Sequence, residues 1–153
     1  MDRGIWVGAA AIDPRRHELD SLLLQLGVLL FLIGLLTGLV IPRFANPRMA
    51  LASHLEGVLN GIFLMVLGLL WHRLNLPNGW LVLTFWLAVY GSFANWLTTL
   101  LAAYWGAGKL MPIAAMGRQG SSTQEGAIRF LLTSLSLAMI AVCVLVIVGL
   151  RLG

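Results

Sequence analysis

Three polar side chains near the start of a long apolar run are the best suited to chemistry in this sequence. The stretch NPRMALASHLEGVLNG (46–61) places His54, Glu56 and Asn60 directly before the run IFLMVLGLLW. An imidazole nitrogen binds transition metals, a carboxylate accepts protons, and an amide both donates and accepts hydrogen bonds. Ionisable groups inside an apolar helix are costly, so they mark a functional site or a buried pairing.

On a helix, His54 shares a face with small residues. At 100° per residue, Gly57 and Gly61 fall within about 60° of the direction of His54. One interpretation is a helix–helix contact, because small residues four apart let backbones approach closely, and Gly34 and Gly38 earlier in the chain fit the same role. The other is that a flat group such as a porphyrin lies along this face while His54 supplies an axial nitrogen.

The remaining polar groups point elsewhere. Asn60 is directed about 120° away from His54 and Glu56 about 160° away, so the three cannot bind one atom. Asn60 is expected to line an adjacent pocket. Candidate partners of Glu56 are a neighbouring helix and three arginines, Arg43, Arg48 and Arg129.

Asn95 is the single amide in a later apolar run, 79–105. It either joins two helices or contacts a substrate. Thr98 and Thr99 follow it, and their hydroxyls can return hydrogen bonds to their own backbone, so they require no function.

The elements that must position these residues are four membrane spans. The chain of 153 residues is 59% hydrophobic and 10% charged, with a mean hydropathy of +0.91. Apolar runs at roughly 21–41, 50–72, 79–105 and 126–150 are each long enough, at about 1.5 Å per residue, to cross a hydrocarbon core of about 30 Å. We predict a single all-α domain over 1–153, an integral membrane four-helix bundle with both termini on one side.

Charges and polar residues mark the ends of the spans. The ten Lys and Arg residues are scattered singly through ends and loops, which is typical of helices anchored at lipid headgroups and does not indicate nucleic-acid binding. Asp20 and Ser21 are predicted to cap the first helix. The connection 106–125 is longer than the others and rich in Gly and Ser, so it is predicted to be mobile.

Two motifs carry a resemblance to known families. The stretches GLLTGL (34–39) and NPRMALASHLEGVLNG resemble the hydroxylaminobenzene mutases, which are small membrane proteins. The pattern His54-x5-Asn60-Gly61 is, more distantly, similar to the bacterial styrene oxide isomerases. Those isomerases carry Trp-Ala-Asn in the third helix, where this chain reads Phe93-Ala94-Asn95.

The isomerase resemblance implies a cofactor and an assembly. Styrene oxide isomerases are four-helix membrane proteins that form trimers and use ferric haem b as a Lewis acid. By this resemblance His54 is the axial ligand of the haem iron, the face of Gly57 and Gly61 binds the haem, and Asn60 and Asn95 belong to the substrate pocket. The isomerases also carry a tyrosine one turn after the third-helix asparagine, where this chain has Thr99.

The mutase resemblance implies an isomerisation without net redox change. A hydroxyl group moves within an aromatic hydroxylamine to give an ortho-aminophenol. Ferric haem held by His54 would polarise the N–O bond, and Asn60 and Asn95 would hydrogen-bond the leaving hydroxyl or the developing charge on nitrogen. A dry pocket would keep water from the ring. The expected partners are this substrate, membrane lipid and two further copies in a homotrimer, located in the bacterial inner membrane.

Three alternatives remain open from the sequence. One is an epoxide isomerase that converts an aryl epoxide to an aldehyde on the same scaffold. Another is a haem-carrying electron-transfer subunit, which needs a second axial ligand; Met65 lies some 16 Å along the same helix from His54 and cannot bind the same iron. The third is a non-enzymatic scaffold whose glycine face joins helices.

Overall fold

The computed structural model describes residues 14–152, and within that range the chain is helical with no β-strand. The described part of the predicted all-α fold is therefore confirmed, while residues 1–13 and 153 of the predicted domain lie outside it. Four of these helices are long and apolar enough to cross a membrane. The helices are α1 (Pro14–Leu39), α2 (Pro47–Leu70), α3 (Asn78–Trp105), the short α4 (Pro112–Ala115) and α5 (Ser122–Arg151).

The long helices pack mainly in chain order. α1 lies against α2, α2 against α3, and α3 against α5, with a smaller contact between α1 and α3. The short connections enforce this order, because a link of a few residues makes consecutive helices antiparallel neighbours. α5 exposes large apolar side chains such as Phe130, Leu137 and Ile140, as expected of a surface that faces lipid or another copy of the chain.

Two apolar clusters lie toward opposite ends of the helices. One contains Leu64, Leu67 and Trp71 near the end of α2; the other contains Met49 and Ala50 near its start. The polar stretch from His54 to Asn60 lies between them along α2. The two clusters hold the ends of the long helices, so the polar residues sit in the middle of the packed assembly.

The predicted cap of the first helix is wrong. α1 begins at Pro14, so Asp20 and Ser21 are inside it and not at its start. Asp20 is buried and contacts His72, which follows α2. A buried carboxylate needs a polar partner, and the His72 imidazole supplies one to Asp20.

The connection 106–125, predicted to be mobile, is folded. It contains α4, and the Glu125 carboxylate accepts backbone N–H groups of Gly108, Lys109 and Gly120 at 2.9–3.0 Å. The buried Asn46, which caps α2 by accepting the Met49 N–H, also donates to the carbonyls of Ala114 and Ala115. In this segment of the chain, side-chain hydrogen bonds thus satisfy backbone groups that a regular helix would pair with one another.

Candidate functional site

His54 is held by the neighbouring helix through one ring nitrogen. Its Nδ1 lies 2.8 Å from the carbonyl oxygen of Gly34 on α1, so Nδ1 carries the proton and donates it. The imidazole rests against Gly38, where an added Cβ would lie 2.8 Å from Nδ1 and 3.1 Å from Cε1. A hydrogen bond at one nitrogen sets the tautomer and leaves the lone pair on the other.

The second ring nitrogen of His54 is available. Within residues 14–152, Nε2 has no hydrogen-bond partner, and it is not among the buried polar atoms without one, so it reaches the surface of the chain. An imidazole with Nδ1–H bound to a backbone carbonyl and Nε2 open is the arrangement of a metal-ligating histidine. The open nitrogen and fixed ring of His54 would therefore suit a ligand of a haem iron.

The backbone of α1 occupies the space beside the glycines that share the face of His54. A Cβ on Gly57 would lie 2.6 Å from Cα of Gly34, and a Cβ on Gly61 would lie 2.6 Å from the backbone nitrogen of Phe31. The expectation that Gly57 and Gly61 clear a face for a haem is therefore corrected: within the chain, the backbone of α1 occupies that space. The helix–helix contact is the interpretation that the geometry supports.

Trp96 joins three helices at the level of His54. Its indole Nε1 donates to the Thr37 hydroxyl on α1 at 3.2 Å, and its backbone carbonyl accepts the Ser53 hydroxyl on α2 at 3.1 Å. The indole also borders Gly57, where a Cβ would approach Cδ1 to 3.0 Å. Trp96 was not predicted as a site residue from the sequence. Its place beside Asn95 in an apolar run was the available signal.

Glu56 is bound by both predicted asparagines. Asn60 Nδ2 donates to Glu56 Oε2 at 3.0 Å, and Asn95 Nδ2 on α3 donates to the same oxygen at 2.6 Å. Asn60 Nδ2 also donates to the Glu56 backbone carbonyl at 2.8 Å. We call Glu56, Asn60 and Asn95 the carboxylate–amide cluster. Of the partners considered for Glu56, the neighbouring helix is confirmed, and Arg43, Arg48 and Arg129 do not pair with it.

The spacing of Glu56 and Asn60 was the overlooked signal for this cluster. Residues four apart on a helix point only about 40° from each other, so their side chains meet. The directions of Glu56 and Asn60 relative to His54 do not reveal how close these two side chains lie to each other. The Thr98 and Thr99 hydroxyls donate to backbone carbonyls of α3, as predicted.

The bonds of the cluster restrict what Asn60 can do. An amide NH₂ group has two hydrogens, and those of Asn60 go to the Glu56 carbonyl and carboxylate. Asn60 therefore offers a substrate its carbonyl oxygen, so the hydrogen bond expected between Asn60 and the reacting groups is one that Asn60 accepts. Asn95 spends one N–H on Glu56 and keeps the other.

The histidine and the cluster lie on opposite flanks of α2. His54 faces α1, through Gly34, whereas Glu56 and Asn60 face Asn95 on α3. A helix with its side chains is about 10 Å across. A small substrate that touches Nε2 of His54 is thus separated from the cluster of the same chain by the body of α2.

The described residues contain no conventional metal cluster. In the range 14–152 no three His, Cys, Asp or Glu side chains are placed to hold a metal ion. His17 and His72 both lie near the Asp20 carboxylate at the end of the bundle, away from the polar stretch of α2.

Comparison with known proteins gives a consistent set of relatives. The family model described as styrene oxide isomerase matches residues 19–151. Hydroxylaminobenzene mutase HabB of Ectopseudomonas oleovorans is 60% identical over 130 residues, covering 84% of this chain and 79% of that protein. Hydroxylaminobenzene mutase HabA of the same organism is 48% identical over 132 residues, covering 86% of this chain and 98% of that protein. No solved structure matches the chain.

Proposed function

Because the chain belongs to the styrene oxide isomerase family, we propose that it is a membrane isomerase that converts aromatic hydroxylamines to ortho-aminophenols. The observation that supports this choice of reaction is the 60% identity to a protein named hydroxylaminobenzene mutase. We place it in the bacterial inner membrane, which four apolar helices can cross several times. In this proposal an aromatic hydroxylamine reaches the site from the lipid phase, in which small aromatic molecules dissolve.

His54 is proposed to hold ferric haem b through Nε2. When bound, the haem supplies a Lewis acid that polarises the N–O bond of the hydroxylamine. The Gly34 carbonyl keeps the His54 ring oriented and its Nδ1 protonated, which directs the lone pair of Nε2 outward. This carbonyl also raises the basicity of the imidazole as a ligand.

The carboxylate–amide cluster is proposed to orient the substrate. The Asn60 carbonyl accepts a hydrogen from the substrate N–H or O–H, and the free N–H of Asn95 donates to the oxygen that carries developing negative charge. Apolar side chains on the flanking helices exclude water, which would otherwise attack the activated ring and divert the hydroxyl from the ortho position.

Two copies of the chain are proposed to complete each site. Within one chain, His54 and the cluster lie on opposite flanks of α2, and α1 fills the intervening glycine face. A homotrimer brings His54 of one copy to the cluster of the next. α5 leaves large apolar side chains exposed, which lipid or a neighbouring copy can cover.

A complementation experiment tests the two-copy site. His54→Ala and Asn95→Leu, each inactive alone, are co-expressed with different tags and the mixed oligomer is purified. In each mixed trimer one of the three sites combines an intact His54 from one copy with an intact Asn95 from the next, so we expect about a third of the wild-type rate on phenylhydroxylamine. A mixed oligomer with no activity, beside a fully active tagged wild-type mixture, would contradict the proposal.

An epoxide isomerase is the second candidate, favoured by the family model. Against it, Thr99 stands where those isomerases carry a tyrosine. Thr99 is 5% exposed and its hydroxyl donates to the carbonyls of Asn95 and Trp96. Its hydrogen is therefore consumed by the backbone, and it offers no donor to an epoxide oxygen.

An assay of the detergent-purified protein separates the candidates. We expect conversion of phenylhydroxylamine to ortho-aminophenol, slow or no conversion of styrene oxide, and the absorption spectrum of a five-coordinate ferric haem. Conversion of styrene oxide at the higher rate favours the epoxide isomerase. A six-coordinate low-spin spectrum favours an electron-transfer subunit, and a colourless inactive protein favours a scaffold.

A further inference from the structure

Glu56 is a carboxylate within an apolar helix, and it is the one member of the carboxylate–amide cluster that has no contact with the substrate in the proposed mechanism. One of its oxygens, Oε2, accepts hydrogen bonds from both asparagine amides, at 3.0 Å from Asn60 and 2.6 Å from Asn95. Because one oxygen receives both hydrogens, the arrangement is the same whether or not the other oxygen carries a proton.

The amide oxygens of the cluster are not used in hydrogen bonds within the chain. Within the described residues, the amide oxygens of Asn60 and Asn95 have no hydrogen-bond donor, and neither is among the buried polar atoms that lack a partner, so both reach a surface. Each amide is thus turned with its nitrogen toward Glu56 and its oxygen away from it. An amide rotated by 180° would place its carbonyl against a carboxylate oxygen, which is repulsive.

We propose that Glu56 is a positioning residue that sets substrate selectivity by turning the amide nitrogens of Asn60 and Asn95 toward itself and their carbonyl oxygens toward the substrate. The two amides then present two acceptors and a single free N–H donor, from Asn95, beside the second Glu56 oxygen, which has no partner within the described residues. This inference rests on the proposed function, because it concerns the substrate of that same site.

The donor count matches one class of substrate. An aryl hydroxylamine carries an N–H and an O–H and can satisfy both carbonyls. An aryl epoxide has an acceptor oxygen and no donor, so it leaves at least one carbonyl without a partner. A site built to bind a substrate N–H or O–H rejects an analogue that lacks it, because the polar groups of the protein stay unpaired.

Two substitutions at Glu56 separate orientation from charge. In Glu56→Met the carboxylate is replaced by an apolar chain of similar length. Asn95 then loses its anchor, Asn60 keeps only its bond to the backbone carbonyl of residue 56, and each amide gains an N–H group that it can present to a substrate. In Glu56→Gln the amide oxygen can still accept both hydrogen bonds, while the charge and the titratable proton are gone. Ser53→Ala is the matched control, because Ser53 also bonds across to α3, through the Trp96 carbonyl, without touching the cluster.

Selectivity is measured as kcat/KM for phenylhydroxylamine multiplied by the inhibition constant of styrene oxide in the same assay. We expect Glu56→Met to lower this product about tenfold or more, Glu56→Gln to keep it within about threefold, and Ser53→Ala to leave it unchanged. Equal weakening of both compounds in Glu56→Met shows a merely structural role and overturns the inference. A loss in Glu56→Gln as large as in Glu56→Met shows that charge or proton transfer matters instead, and also overturns it.

The wild-type protein offers a test that needs no variant. The N-methyl and O-methyl derivatives of phenylhydroxylamine each lack one donor hydrogen, and we expect each to bind about tenfold more weakly than the parent compound. Equal binding of all three contradicts the inference. Absence of ortho-aminophenol from the wild-type reaction contradicts the proposed function instead, and the binding series still reports on the orientation of the amides.

Discussion

Replacing His54 with alanine is expected to remove the haem absorption of the purified protein and to lower kcat/KM for phenylhydroxylamine more than about 100-fold. Loss of an outer-shell partner of a metal ligand already costs about 10–100-fold, and loss of the ligand itself costs more. The fold should survive, because the His54 side chain is partly exposed and makes one hydrogen bond, to the Gly34 carbonyl.

A second substitution tests the placement of the ring without removing it. In Gly38→Ala the new methyl group meets the His54 imidazole at 2.8 Å from Nδ1 and should push it off the Gly34 carbonyl. We expect weaker haem binding and a rate about 10–100-fold below wild type. His72→Ala is the control, because that imidazole bonds to Asp20 at the end of the bundle and should leave spectrum and rate unchanged. Full activity of His54→Ala without bound haem would refute the proposed role of His54.

Adding one methyl group at Gly61 is expected to destabilise the protein by about 3 kcal/mol, the upper range for overpacking a well-packed contact. The new Cβ would lie 2.6 Å from the Phe31 backbone nitrogen and 2.8 Å from the Gly27 carbonyl oxygen. Both atoms belong to the α1 backbone, so no side chain can move aside and the two helices must separate. Unfolding in detergent, followed by circular dichroism, measures the effect in Gly61→Ala.

Two other glycines supply a graded control. A Cβ at Gly91 would meet the Met139 sulfur at 2.6 Å, but a methionine side chain is flexible and can shift, so Gly91→Ala should cost less than Gly61→Ala. A Cβ at Gly126 on α5 meets nothing within 4 Å, so Gly126→Ala should be neutral or slightly stabilising. If Gly61→Ala is as stable as Gly126→Ala, α1 does not pack on α2 through these glycines.

Much of the fold could be predicted because hydropathy is a local property. Four apolar runs identified α1, α2, α3 and α5, and their short links predicted neighbours in chain order. The errors were at the ends. Asp20 resembles a cap until one sees that the helix continues back to Pro14, and the Gly- and Ser-rich connection looks mobile until Glu125 is seen to accept three backbone N–H groups from it.

The sequence predicts which residues belong to the candidate site, but not how those residues contact one another. Residue type and family resemblance select His54, Asn60 and Asn95. They do not say that a single carboxylate oxygen binds both amides, because that contact joins α2 to α3 across 39 residues. Residue type also does not say which way a hydrogen bond of Asn60 to a substrate runs: Glu56 takes its two hydrogens, and its carbonyl oxygen is the atom left over for a substrate.

The sequence by itself therefore determined the number of spans, the family and the side chains that carry chemistry, all of which depend on residue type and short-range spacing. Only the tertiary structure decided which helix covers each face of α2. The face of Gly57 and Gly61 is equally suited to a flat cofactor or to another backbone, because both need only the absence of side chains. The position of α1 settled that choice within the chain, and the position of α3 gave Glu56 its partners.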